Sequence, residues 1–208
     1  MAIELQFDGP KTAPLTLALA HGAGAPSDSP FMTDFAHGVA RAGWRVARFE
    51  FPYMAARRLD NKKRPPDRAN VLLDTWQSVI DRLGPDHLII GGKSLGGRMA
   101  SMIADAAGVR GVVCLGYPFH PVGQPEKLRI THLQALRTAT LILQGTRDPF
   151  GLVDEITELA LSPAIRVHYL EDGDHSFVPR AKSSRSEAQN REEALCEIVS
   201  FLAARAAE

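Results

Sequence analysis

Six short apolar runs rich in β-forming residues recur along this chain, and stretches whose apolar residues return every three or four positions lie between them. The runs are LTLALAH (15–21), WRVARFEF (44–51), HLIIGG (87–92), VRGVVCLGY (109–117), ATLILQG (139–145) and IRVHYL (165–170), and IELQF near the N-terminus is a further candidate strand. Phe31, Phe35 and Val39 repeat at every fourth position after Pro30, with Gly43 as a stop signal. Leu72, Trp76, Ile80 and Leu83 share one helical face ahead of Gly84-Pro85, LGGRMASMIADAAG (95–108) reads as a third helix, and weaker patterns cover 151–161 and 187–206. Such alternation predicts an α/β fold, a mostly parallel central sheet covered by helices on both faces. Ligand sites of such sheets lie beyond the carboxyl ends of the strands. The least regular stretches, 54–70, 119–135 and 178–190, all follow strand ends and are expected to form the rim.

With 208 residues, 45% of them hydrophobic, the chain can bury one sizeable core, which predicts a single domain over 1–208. Lysine plus arginine and aspartate plus glutamate are 24 each, so no global charge attracts nucleic acid or an anionic membrane. Cys114 and Cys196 read as two buried thiols in a reducing compartment, not a disulfide framework. The start MAIELQFDGP lacks a basic segment followed by an apolar stretch, and no apolar run approaches membrane-spanning length. The expectation is a soluble cytoplasmic protein.

The segment IIGGKSLGGR (89–98) contains Gly-Lys-Ser and invites two readings. A phosphate-binding loop needs a glycine five positions before Gly92, and His87 stands there, with Leu88, Ile89 and Ile90 forming a strand where the cradle belongs. The alternative template, G-x-S-x-G, is met by Gly92, Lys93, Ser94, Leu95 and Gly96, between a buried strand and a helix. That context makes Ser94 a candidate nucleophile on a strained turn, flanked by glycines that keep strand and helix from colliding.

A serine hydroxyl needs a base, and the base needs an acid to hold its tautomer. Of the seven histidines, His175 in EDGDHSF directly follows the last strand, and the others fall on strands, on a helix or near the 119–135 stretch. In folds with this elbow the order is serine, acid, histidine. Asp148 of QGTRDPFG supplies the acid after ATLILQG, although helix N-capping is an alternative role for it. Asp172 and Asp174 are nearer to His175 in sequence, but as turn residues they are expected to order the turn. No second His/Asp group follows them at ligand spacing, so a metal cluster is not expected.

An oxyanion hole requires two backbone N–H donors, one from the residue after the serine, here Leu95. The second is expected from HGAGAPSDSP after LTLALA, at Ala23, with Gly22 and Gly24 letting backbone approach substrate and His21 bracing the loop.

Taken together, HGAG, GGKSLGG, QGTRDPF and GDHSF resemble the α/β-hydrolase superfamily over nearly the whole chain. GYPFHP with GQPEKLR further resembles a small lidless branch that includes testis-expressed protein 30 and a subunit of the nonspecific lethal histone acetyltransferase complex, with dienelactone-hydrolase-like enzymes more distant. The resemblance implies an α/β-hydrolase fold and Ser94, Asp148 and His175 as the triad; it implies no substrate. Only about twenty residues separate VRGVVCLGY from the next strand, too few for a cap domain.

Tyr53, Tyr117, Phe119, Phe150 and Phe177 follow strand ends and are candidates to line a shallow site or to fill core gaps. The stretch MAARRLDNKKRPPDR reads as a basic loop, in which Arg57, Arg58, Lys62, Lys63, Arg64 and Arg68 outnumber Asp60 and Asp67. It is either a solvated surface or a steering site for an anionic substrate. The expected activity is hydrolysis of a small ester or thioester through an acyl-enzyme, without metal or organic cofactor. The competing class is a non-catalytic interaction module on the same fold.

Overall fold

The computed structural model describes residues 3–208. Its strands are β1 (Gln6–Asp8), β2 (Thr16–Ala20), β3 (Arg45–Phe49), β4 (Leu88–Lys93), β5 (Gly111–Leu115), β6 (Thr140–Gly145) and β7 (Ile165–Leu170). They form one seven-stranded sheet in the order β1-β3-β2-β4-β5-β6-β7. Only β1 runs antiparallel, on β3; all other pairs are parallel. The helices are α1 (Pro30–Arg41), α2 (Pro52–Asp60), α3 (Ala69–Leu83), α4 (Leu95–Ala107), α5 (Val153–Thr157) and α6 (Glu187–Ala206).

Alternation along the strands divides the apolar residues between two cores. Ala18, Ile90, Cys114 and Ile142 face α2, α3 and α4, where Trp76, Met54 and Met99 pack against them. Leu17, Leu19, Ile89, Val113 and Leu141 point the other way, onto Phe35 and Val39 of α1 and Ile198 and Leu202 of α6. Because both faces are covered, β4, β5 and β6 read as continuous apolar runs rather than alternating ones.

Arg48, buried on β3, fastens the β1 edge to the neighbouring loop. Its Nε and Nη2 donate to Asp8 Oδ2 at 3.2 and 3.0 Å, and its Nη1 donates to Ser27 O and Thr33 Oγ1, each at 3.0 Å. This holds the segment after β2 against the start of α1.

The structure corrects two sequence expectations about this part of the chain. Residues 54–60, the start of the stretch 54–70 expected to be irregular, belong to α2, started by Pro52 in its first turn and closed by Asn61 at φ 54°. Arg57 and Arg58 therefore sit in a helical last turn, where cations suit the helix dipole. Cys114 is buried as expected, but Cys196 lies on the exposed side of α6. Residues 116–139, between β5 and β6, contain no helix or strand, so no cap covers the sheet edge. No helix among the described residues is long and apolar enough to cross a membrane.

Candidate active site

Ser94 stands at the sharp turn between β4 and α4 with φ 49° and ψ −110°, a conformation a side-chain-bearing residue rarely adopts. The turn requires its glycines. A Cβ on Gly92, which has φ 150°, or on Gly96 would collide with the carbonyl oxygen of Ala20 on the neighbouring strand. Ser94 N–H donates to Leu115 O at 3.1 Å, fixing the turn to the end of β5. Ser94 and His175 line the same cavity of about 320 Å3, with Gly22 to Ala25, Phe31, Met32 and Phe150.

His175 Nδ1 donates to Asp148 Oδ2 at 2.7 Å. A carboxylate at Nδ1 keeps the proton there and leaves Nε2 as the basic nitrogen. Asp148 is fully buried, and its other oxygen accepts the Phe150 N–H at 2.9 Å. A buried carboxylate needs its lone pairs satisfied, and Gln144 Nε2 supplies another donor to Oδ2 at 2.9 Å. Gln144 is in turn held by Tyr117, whose N–H donates to Gln144 Oε1 at 2.8 Å. Gln144 escaped the sequence reading, although a polar residue ending an apolar strand was a usable signal.

The loop carrying His175 is tied down from three sides. Thr146 Oγ1 accepts from Asp172 N at 2.8 Å, and Arg147 Nε donates to Asp172 O at 2.9 Å, so the residues flanking Asp148 also anchor the histidine loop. Asn190 of α6 donates to Glu171 O and Phe177 O at 3.0 and 2.9 Å. Asp172 also pairs with Arg147 and Arg180, and Asp174 Oδ1 accepts from Ser176 N and Val178 N. Both acids order the turn, and neither is hydrogen-bonded to the imidazole. The third tie comes from Lys93, whose ammonium donates to the main-chain carbonyl of His175.

The loop after β2 is braced by His21, which is completely buried. Its Nδ1–H donates to Gly22 O at 2.7 Å and its Nε2 accepts from Phe51 N at 3.1 Å, a pattern that requires the neutral ring. Burial lowers its pKa in the same sense. The Tyr53 hydroxyl reaches the carbonyls of Gly22 and Ala23, 3.2 Å from each. Ala23 lines the cavity and Leu95 opens α4; neither N–H has a hydrogen-bond acceptor among the described residues.

Of the five aromatic residues named as candidates to line the site or fill core gaps, only Phe150 lines the cavity, its ring centroid 4.4 Å from that of His175. Tyr53 is buried beneath the loop it braces. Tyr117 and Phe119 lie in the core, packed edge to face, and the Tyr117 hydroxyl donates to Arg129 O at 2.8 Å. Phe177 is buried against Phe31 and Phe35. The expected rim stretches 54–70, 119–135 and 178–190 contribute nothing to the cavity lining. The basic segment is partly neutralised, with Arg58 paired to Glu50 and Asp28, and Arg64 to Asp60. A larger cavity of about 490 Å3 lies between β1 and α2, lined by Arg48, Glu50, Arg58 and Leu59; its lining has no histidine to serve as a base.

The chain matches the family described as alpha/beta hydrolase domain over residues 13–203. In three dimensions it is similar to a lidless α/β serine hydrolase from Xanthomonas campestris, with a TM-score of 0.69 and 17% identity over 96% of this chain and 89% of that one. It is similar to a dienelactone hydrolase from Anabaena variabilis, with a TM-score of 0.70 and 20% identity over 93% and 89%. A monoacylglycerol lipase from Paleococcus ferrophilus gives a TM-score of 0.68 and 16% identity over 99% and 100%. At such identities the likeness is one of fold.

Proposed function

The chain belongs to the alpha/beta hydrolase domain family, and from that membership we propose a serine hydrolase that cleaves a small ester or thioester through an acyl-enzyme. The observation that carries the proposal is the hydrogen bond from His175 Nδ1 to the buried Asp148, with His175 and Ser94 lining one cavity. In this reading His175 Nε2 takes the Ser94 proton as Oγ attacks the substrate carbonyl carbon. The carbonyl oxygen becomes an oxyanion and accepts from the Ala23 and Leu95 N–H groups, which have no other acceptor among the described residues. Collapse breaks the bond to the leaving oxygen or sulfur, which receives the proton from His175. Water, deprotonated by the same nitrogen, then attacks the acyl-enzyme and releases the acid and Ser94.

Asp148 holds the imidazole and favours its protonated form while the oxyanion exists; it does not itself take the proton. A cavity of about 320 Å3 sits at the small end of ligand sites and suits a short acyl group. The deciding experiment is labelling with a fluorophosphonate probe, comparing the wild-type chain with Ser94→Ala. Labelling lost in the variant supports the enzyme. A wild-type chain that never labels favours the alternative, a non-catalytic interaction module.

A further inference from the structure

Lys93, between the elbow glycine and Ser94, is the only cationic side chain among the residues lining the cavity, and no carboxylate lines it. Its aliphatic stem packs on the loop after β2, Cγ lying 3.3 Å from where a Cβ on Gly22 would stand. Its ammonium lies 4.9 Å from the Phe31 ring centroid and 5.4 Å from that of Phe177. One N–H goes to the His175 carbonyl. An ammonium has three donors, and the other two have no acceptor among the described residues. The nearby carboxylates are committed elsewhere, Asp148 to His175, Gln144 and Phe150, and Asp174 to the turn N–H groups.

A desolvated cation is costly unless an anion meets it. Burial lowers the Lys93 pKa to about 8, against the opposing pull of Asp148 and Asp174. The remaining walls offer apolar surface from Phe31, Met32 and Phe150 and no competing negative charge. We propose that Lys93 is a specificity-determining residue which selects esters or thioesters carrying a carboxylate close to the scissile bond. The carboxylate accepts from the two remaining ammonium donors as the carbonyl settles over Ser94. This rests on the hydrolase reading above.

The test compares matched esters, each corrected for its uncatalysed rate. For the acyl side, monophenyl glutarate is set against phenyl pentanoate; for the leaving-group side, 4-(butanoyloxy)benzoate is set against its methyl ester. In the wild-type enzyme the charged member of at least one pair is expected to have a tenfold or greater advantage in kcat/KM, expressed mainly in KM. The advantaged arm tells which part of the substrate bears the carboxylate. In Lys93→Met that ratio is expected to collapse towards one, and in Lys93→Arg to survive. No preference in either wild-type pair overturns the proposal, whether or not the variants fold. So does a preference that persists in Lys93→Met, or an equal loss on both members of a pair, which would make Lys93 only a clamp on the histidine loop. Fluorophosphonate labelling of Ser94 reads the hydrolase assignment separately, since it depends on no carboxylate.

Discussion

Gln144 and His175 donate to the same oxygen of Asp148, at 2.9 and 2.7 Å, so the carboxylate is held from the strand behind it as well as by the imidazole in front. Gln144→Leu removes that donor and leaves Tyr117 N–H without its acceptor. The expected result is a fall in kcat on the order of 10²-fold, from an imidazole held less well, with little change in KM. Stability should drop by about 1–3 kcal/mol for the buried groups left unpaired. Steady-state kinetics and urea titration of the same preparation measure both, and an unchanged kcat would remove Gln144 from the positioning role.

Because Ser94 and His175 are read as one unit, Ser94→Ala, His175→Ala and the double variant should retain about the same residual rate, not a multiplied loss. Asp148→Asn is expected to cost on the order of 10³–10⁴-fold in kcat, because an amide holds the wrong tautomer. Asp174→Asn should cost far less, since its side-chain oxygen still accepts from Ser176 and Val178. A reversal of that ranking would transfer the acid role to Asp174.

Lys93 should carry a measurable cost in stability. Its folded pKa of about 8 lies below the ordinary 10.5, so between those values the unfolded chain holds a proton that the folded chain does not. The penalty is therefore full below pH 8 and is relieved as pH rises to 10.5. Lys93→Met is expected to be more stable than the wild type by about 1–3 kcal/mol at neutral pH. The gap should close in alkali, as read by urea unfolding at pH 7 and pH 10.

His21 predicts an opposite vulnerability, at acid pH. Its pKa is lowered by burial, so below the ordinary 6.5 the unfolded chain binds a proton first and stability falls as the solution is acidified. His132, pushed down to about 4 by burial and by Arg98, adds to the same slope. The difference between wild type and His21→Gln isolates the His21 share. Unfolding measured at pH 7.5 and pH 5.5 should show a shallower loss in the variant.

Much of the fold was legible because its signals are local. The elbow glycines, the apolar runs and the spacing of Leu72, Trp76 and Ile80 need only neighbouring residues to be read, and the strands they predict are all present. α2 was missed because its nine residues bury only Tyr53 and Met54, too few for a periodic stripe, and its charges resemble those of a loop. Asp172 and Asp174 were correctly read as turn-ordering residues, because an acid with nearby backbone N–H groups finds partners without help from the rest of the fold.

The sequence by itself determined where the chain must turn, which runs must be buried and which serine sits on the strained elbow. Only the tertiary structure decided which way an aromatic at a strand end would point, sending Tyr117 and Phe119 into the core and Phe150 to the cavity. It likewise decided that Gln144 would meet Tyr117 and Asp148 in the interior, and that the Lys93 ammonium would lie on a carbonyl 82 residues away. The physical reason is that local backbone preference and hydrophobic pattern are properties of a short stretch. The partner of a buried polar group is set by which distant segments the sheet order brings together, and no single stretch encodes that.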